Sequence, residues 1–146
     1  MPTNLGNPYS PLWRGIYPHM LPEDRPIWSR FLDQNAHLFE RVYYDVRIGG
    51  VYPGPELGDE NMRKMYYDVT AKRIDALGEL KDEIWIIEVA ARPGLRATGQ
   101  LQTYLALWFE DQKIIKPAKP VLVCQSLDED LERALKFYGV LVRIST

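Results

Sequence analysis

The chain has 146 residues, 46% of them apolar and 26% charged, which suits one globular domain with a core of its own and argues against a second full domain. A net charge of -2 and a pI near 5.7 weigh against binding nucleic acid mainly by neutralising many phosphates. No stretch reaches the roughly 18 apolar residues of a membrane span; Cys124 has no second cysteine to pair with, and Met1 to Gly6 lacks the features of a secretory signal, so a cytosolic location is expected.

Residues 1–25 form the first unit. Five prolines (Pro2, Pro8, Pro11, Pro18, Pro22), with Pro26 directly after them, block both helix interior and central strand, because proline lacks a donor and fixes φ. An extended arm is expected, and its aromatic content sets it apart from a disordered tail. Tyr9, Trp13, Ile16, Tyr17 and Met20 are its candidate contact residues. They either pack on their own domain or dock on another protein, as extended peptides do in grooves.

Residues 26–146 are expected to form one domain. Ile27, Phe31 and Leu32 share a helical face, with Asp24 as candidate N-cap and Pro26 tolerated in the first turn. Val42, Tyr44, Val46 and Ile48 alternate with Tyr43, Asp45 and Arg47, which predicts a strand ended by Gly49-Gly50. Val51 to Asn61 reads as a loop, and Met65 to Leu77 as a second strand. A polar turn leads to a third strand over Glu83 to Ala91, apolar on both faces at Ile84-Trp85-Ile86-Ile87 and so expected at the centre of a sheet. Leu101, Tyr104, Leu105 and Trp108 form the stripe of a helix over Ala97 to Glu110. A buried strand at Val121 to Cys124, a helix over Leu127 to Phe137 capped by Ser126, and a last strand at Val140 to Ile144 complete the chain. An α/β (α+β) fold with a mixed central sheet follows.

Two carboxylates stand where chemistry is expected. Asp75 lies late in the second strand and Glu88 in the third, and carboxylates from paired strands suit a hard cation such as Mg²⁺. Alternation puts Glu88, Ala90 and Arg92 on one face. His19 and His37 have no partners at zinc spacing, and Cys124 in an apolar strand reads as inert core.

With Asp75, Glu88, and Gln100 and Tyr104 on the following helix, residues 26 to 144 resemble the PD-(D/E)XK nuclease superfamily. The resemblance implies a restriction-endonuclease-like αβββαβ core with an extra helix and strand. It implies Asp75 and Glu88 as ligands of Mg²⁺ or Mn²⁺, Gln100 as an orienting group, and Glu40 as an additional acidic residue. The superfamily's lysine would stand at Ala90, where a methyl group can neither orient water nor stabilise charge on phosphate.

Three readings of that gap stay open. Arg92 fills the role from further along the strand, although a guanidinium is no general base. Lys72 fills it by way of a β-bulge. Or hydrolysis is lost, no cofactor is expected, and Asp75 pairs with Arg73 or Arg92. On the last reading the chain is a catalytically degenerate, oligomeric protein-binding subunit of a larger assembly, anchored to its neighbours by the arm, and a phage or virus particle is one concrete form of that assembly. The alternative is a Mg²⁺- or Mn²⁺-dependent endonuclease. A module that binds nucleic acid without cutting, through Arg73, Arg92 and Arg96, is disfavoured by the net charge.

Overall fold

The computed structural model describes residues 2–145. Its elements are α1 (Arg25–Asn35), β1 (Arg41–Ile48), α2 (Glu60–Thr70), β2 (Lys72–Glu79), β3 (Ile84–Ala90), α3 (Arg96–Glu110), β4 (Ala118–Cys124), α4 (Glu129–Phe137) and β5 (Leu141–Ile144). The strands form one mixed sheet in the order β1-β2-β3-β4-β5. β1, β2 and β3 run antiparallel in turn, and β4 and β5 then add in parallel. The fold is α+β. No helix of the described residues is long and apolar enough to cross a membrane.

Two apolar layers sandwich the sheet. α1 packs on one face through Ile27, Trp28, Phe31 and Leu32, against Val42, Tyr44, Trp85, Ile87 and Val123. α3 and α4 cover the other face through Leu101, Tyr104, Trp108, Leu131 and Leu135. β3 sits between them, so Ile84, Ile86 and Ile87 are all fully buried and its near-continuous apolar run is explained. In the α1 layer Trp28 Nε1 donates to the Tyr44 hydroxyl at 2.9 Å.

The arm folds back on this domain. Asn4 bridges Arg47 and Tyr9 bridges Val42 in antiparallel fashion, along the β1 edge that β2 leaves free. This covers an open sheet edge that would otherwise invite pairing with another chain. Further along, Tyr17 and Met20 enter the α1 layer, and the Tyr17 hydroxyl lies 2.6 Å from Ser29 Oγ.

One stretch departs from the sequence expectation. Residues expected as a loop and the start of a strand form a 3-10 turn at Pro55–Leu57 and then helix α2, and β2 begins only at Lys72. The Asp59 side chain accepts from the Met62 N–H at 2.9 Å and so starts the helix. The odd-numbered alternation of Tyr67, Val69 and Ala71 coincided with a helical stripe, Met62, Met65, Tyr66 and Val69, at spacings of three and four. α4 likewise begins later than expected, capped by Asp128 rather than Ser126.

Candidate functional site

Asp75 and Glu88 come together where two strands part. The β2–β3 register runs from Glu79 opposite Ile84 to Ala76 opposite Ile87 and goes no further. Beyond it the Asp75 carboxylate, not a backbone carbonyl, accepts the Val89 N–H at 3.0 Å. Asp45 falls in the gap of the β1–β2 register between Tyr44 opposite Ala76 and Val46 opposite Ile74; it holds a left-handed backbone at φ 52° and breaks the alternation of β1 at that level. Its carboxylate takes the Arg73 guanidinium in a two-point pair at 2.7 and 2.6 Å. Arg73 is therefore committed to Asp45 rather than to Asp75.

The Glu88 and Asp75 carboxyls act on each other: the Asp75 charge disfavours ionisation of Glu88, while Glu88 favours that of Asp75. Burial pushes Glu88 up to about 9, and the neighbouring Asp75 and Asp24 charges push the same way. Asp75 is also raised by burial, against the lowering effect of the Val89 N–H, Glu88 and the nearby His19. Asp24 is the third carboxylate of the group. Burial, then Asp75 and Glu23, push it up to about 6, against the lowering effect of the Ala91 backbone. The Asp24 side chain makes no cap bond to α1, contrary to the expectation.

A cleft of about 190 Å³ opens beside Glu88, lined by Ala90, Pro93, Gly94, Arg96, Ala97 and Gln100. Arg96, Gln100 and Tyr104 stand four residues apart on α3, hence on one face. Tyr104 is buried, and both Glu88 and Asp75 act on its hydroxyl and help burial to raise it. Asp75, Glu88, Gln100 and Tyr104 thus lie near one another at one end of the sheet.

Several expected members are elsewhere. Arg92 lines a different pocket, because β3 ends at Ala90 and the chain bends before it. Lys72 Nζ donates to the Thr70 carbonyl at 3.1 Å and is exposed. Glu40 lies at the opposite end of the sheet, where it and Glu79 share Lys116 at 3.3 and 2.8 Å and Arg41 adds to Glu79 at 2.6 Å. Of the arm residues, Tyr17 and Met20 are core, Tyr9 and Trp13 are half-buried against it, and Ile16 is 73% exposed. Cys124 is buried in β4, and burial pushes its thiol up to about 11.

Sequence reasoning missed Asp24 and His19 as neighbours of the pair, since both lie before the first helix and reach it only through the fold. Arg96 was legible as a cleft residue, because it precedes Gln100 by one helical turn.

Chemically, the pair suits a hard divalent cation: Mg²⁺ is commonly held by one or two carboxylates with water completing its shell. A cation at Asp75 and Glu88 would displace the proton that burial favours on Glu88 and would polarise a phosphoryl oxygen. Among the described residues no group of three His, Cys, Asp or Glu side chains is arranged to hold a metal by itself. No family model, curated protein or solved structure matches the chain.

Proposed function

We propose that this chain is a domain of the PD-(D/E)XK nuclease type that has kept its carboxylate pair and lost its catalytic amine, and that it serves as a protein-binding subunit of a larger assembly. The observation that carries this reading is the cleft beside Glu88. Its one cation among the described lining residues is Arg96, and a guanidinium stays protonated and cannot take a proton from water. The methyl group of Ala90 occupies the lysine position, and neither Lys72 nor Arg92 faces the cleft. Positioned water and a base are both needed for hydrolysis of a phosphodiester.

Support for assembly comes from α2 rather than from the arm. Met62, Met65, Tyr66 and Val69, with Leu57, form an apolar strip on a helix whose one buried residue is Tyr67. A second copy of the chain fits this strip best. An antiparallel pairing about a two-fold axis between Met65 and Tyr66 sets Met62 on Val69, and it sets the acidic start of the helix, Asp59 and Glu60, near Lys72 of the other copy. Such a strip is smaller than the roughly 1,200 to 2,000 Å² of a stable interface, so pairing is weak and depends on concentration.

Light scattering across a concentration series tests this. The average mass should rise towards that of a dimer, and Met65→Lys should hold it at the monomer. A monomeric mass at every concentration, or a dimer indifferent to Met65→Lys, would overturn the assignment.

A second reading, a Mg²⁺- or Mn²⁺-dependent endonuclease, is favoured by one observation: Asp75, Glu88 and Gln100 still converge, with Arg96 beside them. It requires cleavage that depends on both carboxylates.

A further inference from the structure

Arg92, the residue that the fold removes from the Glu88 cleft, lines a second pocket of about 570 Å³ together with Arg30, Gln125, Ser126 and Ser145. Four separate parts of the chain meet there: α1, the bend after β3, the loop after β4 and the end of β5. The pocket lies beyond the carboxyl ends of β3 and β4, which are parallel and in register from Ile84 opposite Ala118 to Ala90 opposite Cys124. The carboxyl ends of parallel strands are a common place for ligands of α/β sheets.

Among the described residues the lining is cationic and neutral, with no Asp or Glu side chain in it. Arg30 and Arg92 make no ion pair among the described residues, whereas Arg14, Arg41, Arg47, Arg73 and Arg133 all do. Two guanidiniums facing one pocket repel each other, and an anion between them removes the repulsion. The walls are held in place without using up the side chains that would bind. The Gln125 and Ser126 N–H groups both donate to the Ala91 carbonyl, at 3.2 and 3.1 Å, which fixes that loop against the bend bearing Arg92. The Ser145 N–H donates to the Cys124 carbonyl at 2.7 Å, and its hydroxyl donates to the Ile27 carbonyl at 2.9 Å, which ties β5 to α1 just before Arg30. The Gln125 amide and the Ser126 hydroxyl remain free of partners among the described residues and complete a set of donors.

We infer that this pocket binds a phosphate monoester, with Arg30 and Arg92 clamping the dianion and Ser126 and Gln125 donating to its remaining oxygens. Two guanidiniums match a dianion in charge, and their planar forks match phosphate oxygens in geometry. The volume is within the usual range of small-molecule sites, so the site has room for the group that carries the phosphate. The source is either a free phosphorylated small molecule or the phosphorylated end of a nucleic acid, and binding does not depend on whether the Glu88 cleft cuts.

The test is an NMR titration of the full chain at constant ionic strength, with inorganic phosphate, a nucleoside 5′-monophosphate, and a short single-stranded oligonucleotide with and without a 5′-phosphate. The expected result is saturable shifts of the Gln125 and Ser126 amides with the phosphate ligands. Arg92→Gln, at an exposed position, and Arg30→Gln should each weaken them by about tenfold, the effect of one lost charge-assisted contact. An oligonucleotide that competes only when phosphorylated identifies a nucleic-acid end as the source; competition by the mononucleotide alone identifies a small molecule. No saturable shift with any phosphate ligand, or shifts that persist unchanged in a folded Arg92→Gln variant, would overturn the site.

Discussion

Replacing Glu88 with glutamine should change how stability depends on pH. In the folded chain the Glu88 carboxyl is pushed from its ordinary 4.5 up to about 9, by burial and then by Asp75. Between those values the folded state holds a proton that the unfolded chain releases. The stabilisation this represents is complete below pH 4.5 and is lost as pH rises towards about 9. One proton corresponds to a slope of about 1.4 kcal/mol per pH unit. Asp24 is raised only to about 6, so a window from about pH 6.5 to 8.5 lies above it and reports on the Glu88–Asp75 pair, over which wild-type protein should lose about 3 kcal/mol. In Glu88→Gln the amide has nearly the shape of the protonated carboxyl but does not titrate, so most of this slope should vanish. Urea unfolding followed by tryptophan fluorescence at three pH values in the window measures both proteins. Equal slopes would refute the reading that burial and Asp75 keep Glu88 protonated in the folded chain.

Two further substitutions test the frame that holds the pair. At Gly78 in β2 an added Cβ would lie 2.4 Å from the buried Phe39 ring, so Gly78→Ala should cost about 1 to 3 kcal/mol in the same urea assay; an unchanged midpoint would mean that the ring has room to move. Tyr17 is fully buried, stacked on Tyr44 with ring centres 5.2 Å apart and bonded to Ser29, so Tyr17→Ala should cost about 3 to 5 kcal/mol. A loss well below 1 kcal/mol would show that the arm lies outside the cooperative core.

Burial pattern made most of the fold legible. Ile84 to Ile87 marked β3 as central because residues on both faces were apolar, and Leu101, Tyr104 and Trp108 marked the buried face of α3 by their period. α2 was missed because Met65, Tyr67 and Val69 suit an alternating strand as well as a helix, and the deciding signal was the Asp59 cap. For the site, residue types and order singled out Asp75, Glu88 and Gln100, while simple alternation carried Arg92 too far: β3 stops at Ala90, and the bend beyond it sends that side chain to another pocket. Glu40 illustrates the same limit. Its distance from Glu88 depends on which end of the sheet it reaches, and this is set by the register of β1 on β2. Asp24 and His19 meet the pair only because the arm turns back over the α1 layer, a long-range packing result that local pattern does not encode.

The most direct test of the central claim is cleavage. Purified full-length protein, Asp75→Asn and Glu88→Gln should be incubated with single-stranded, linear and supercoiled DNA in Mg²⁺ and in Mn²⁺, over a range that extends to excess protein. A cleft with Ala90 in place of an amine predicts that all three proteins leave every substrate intact. Metal-dependent cutting by the wild-type chain that both substitutions abolish would contradict the account and establish the endonuclease reading in its place.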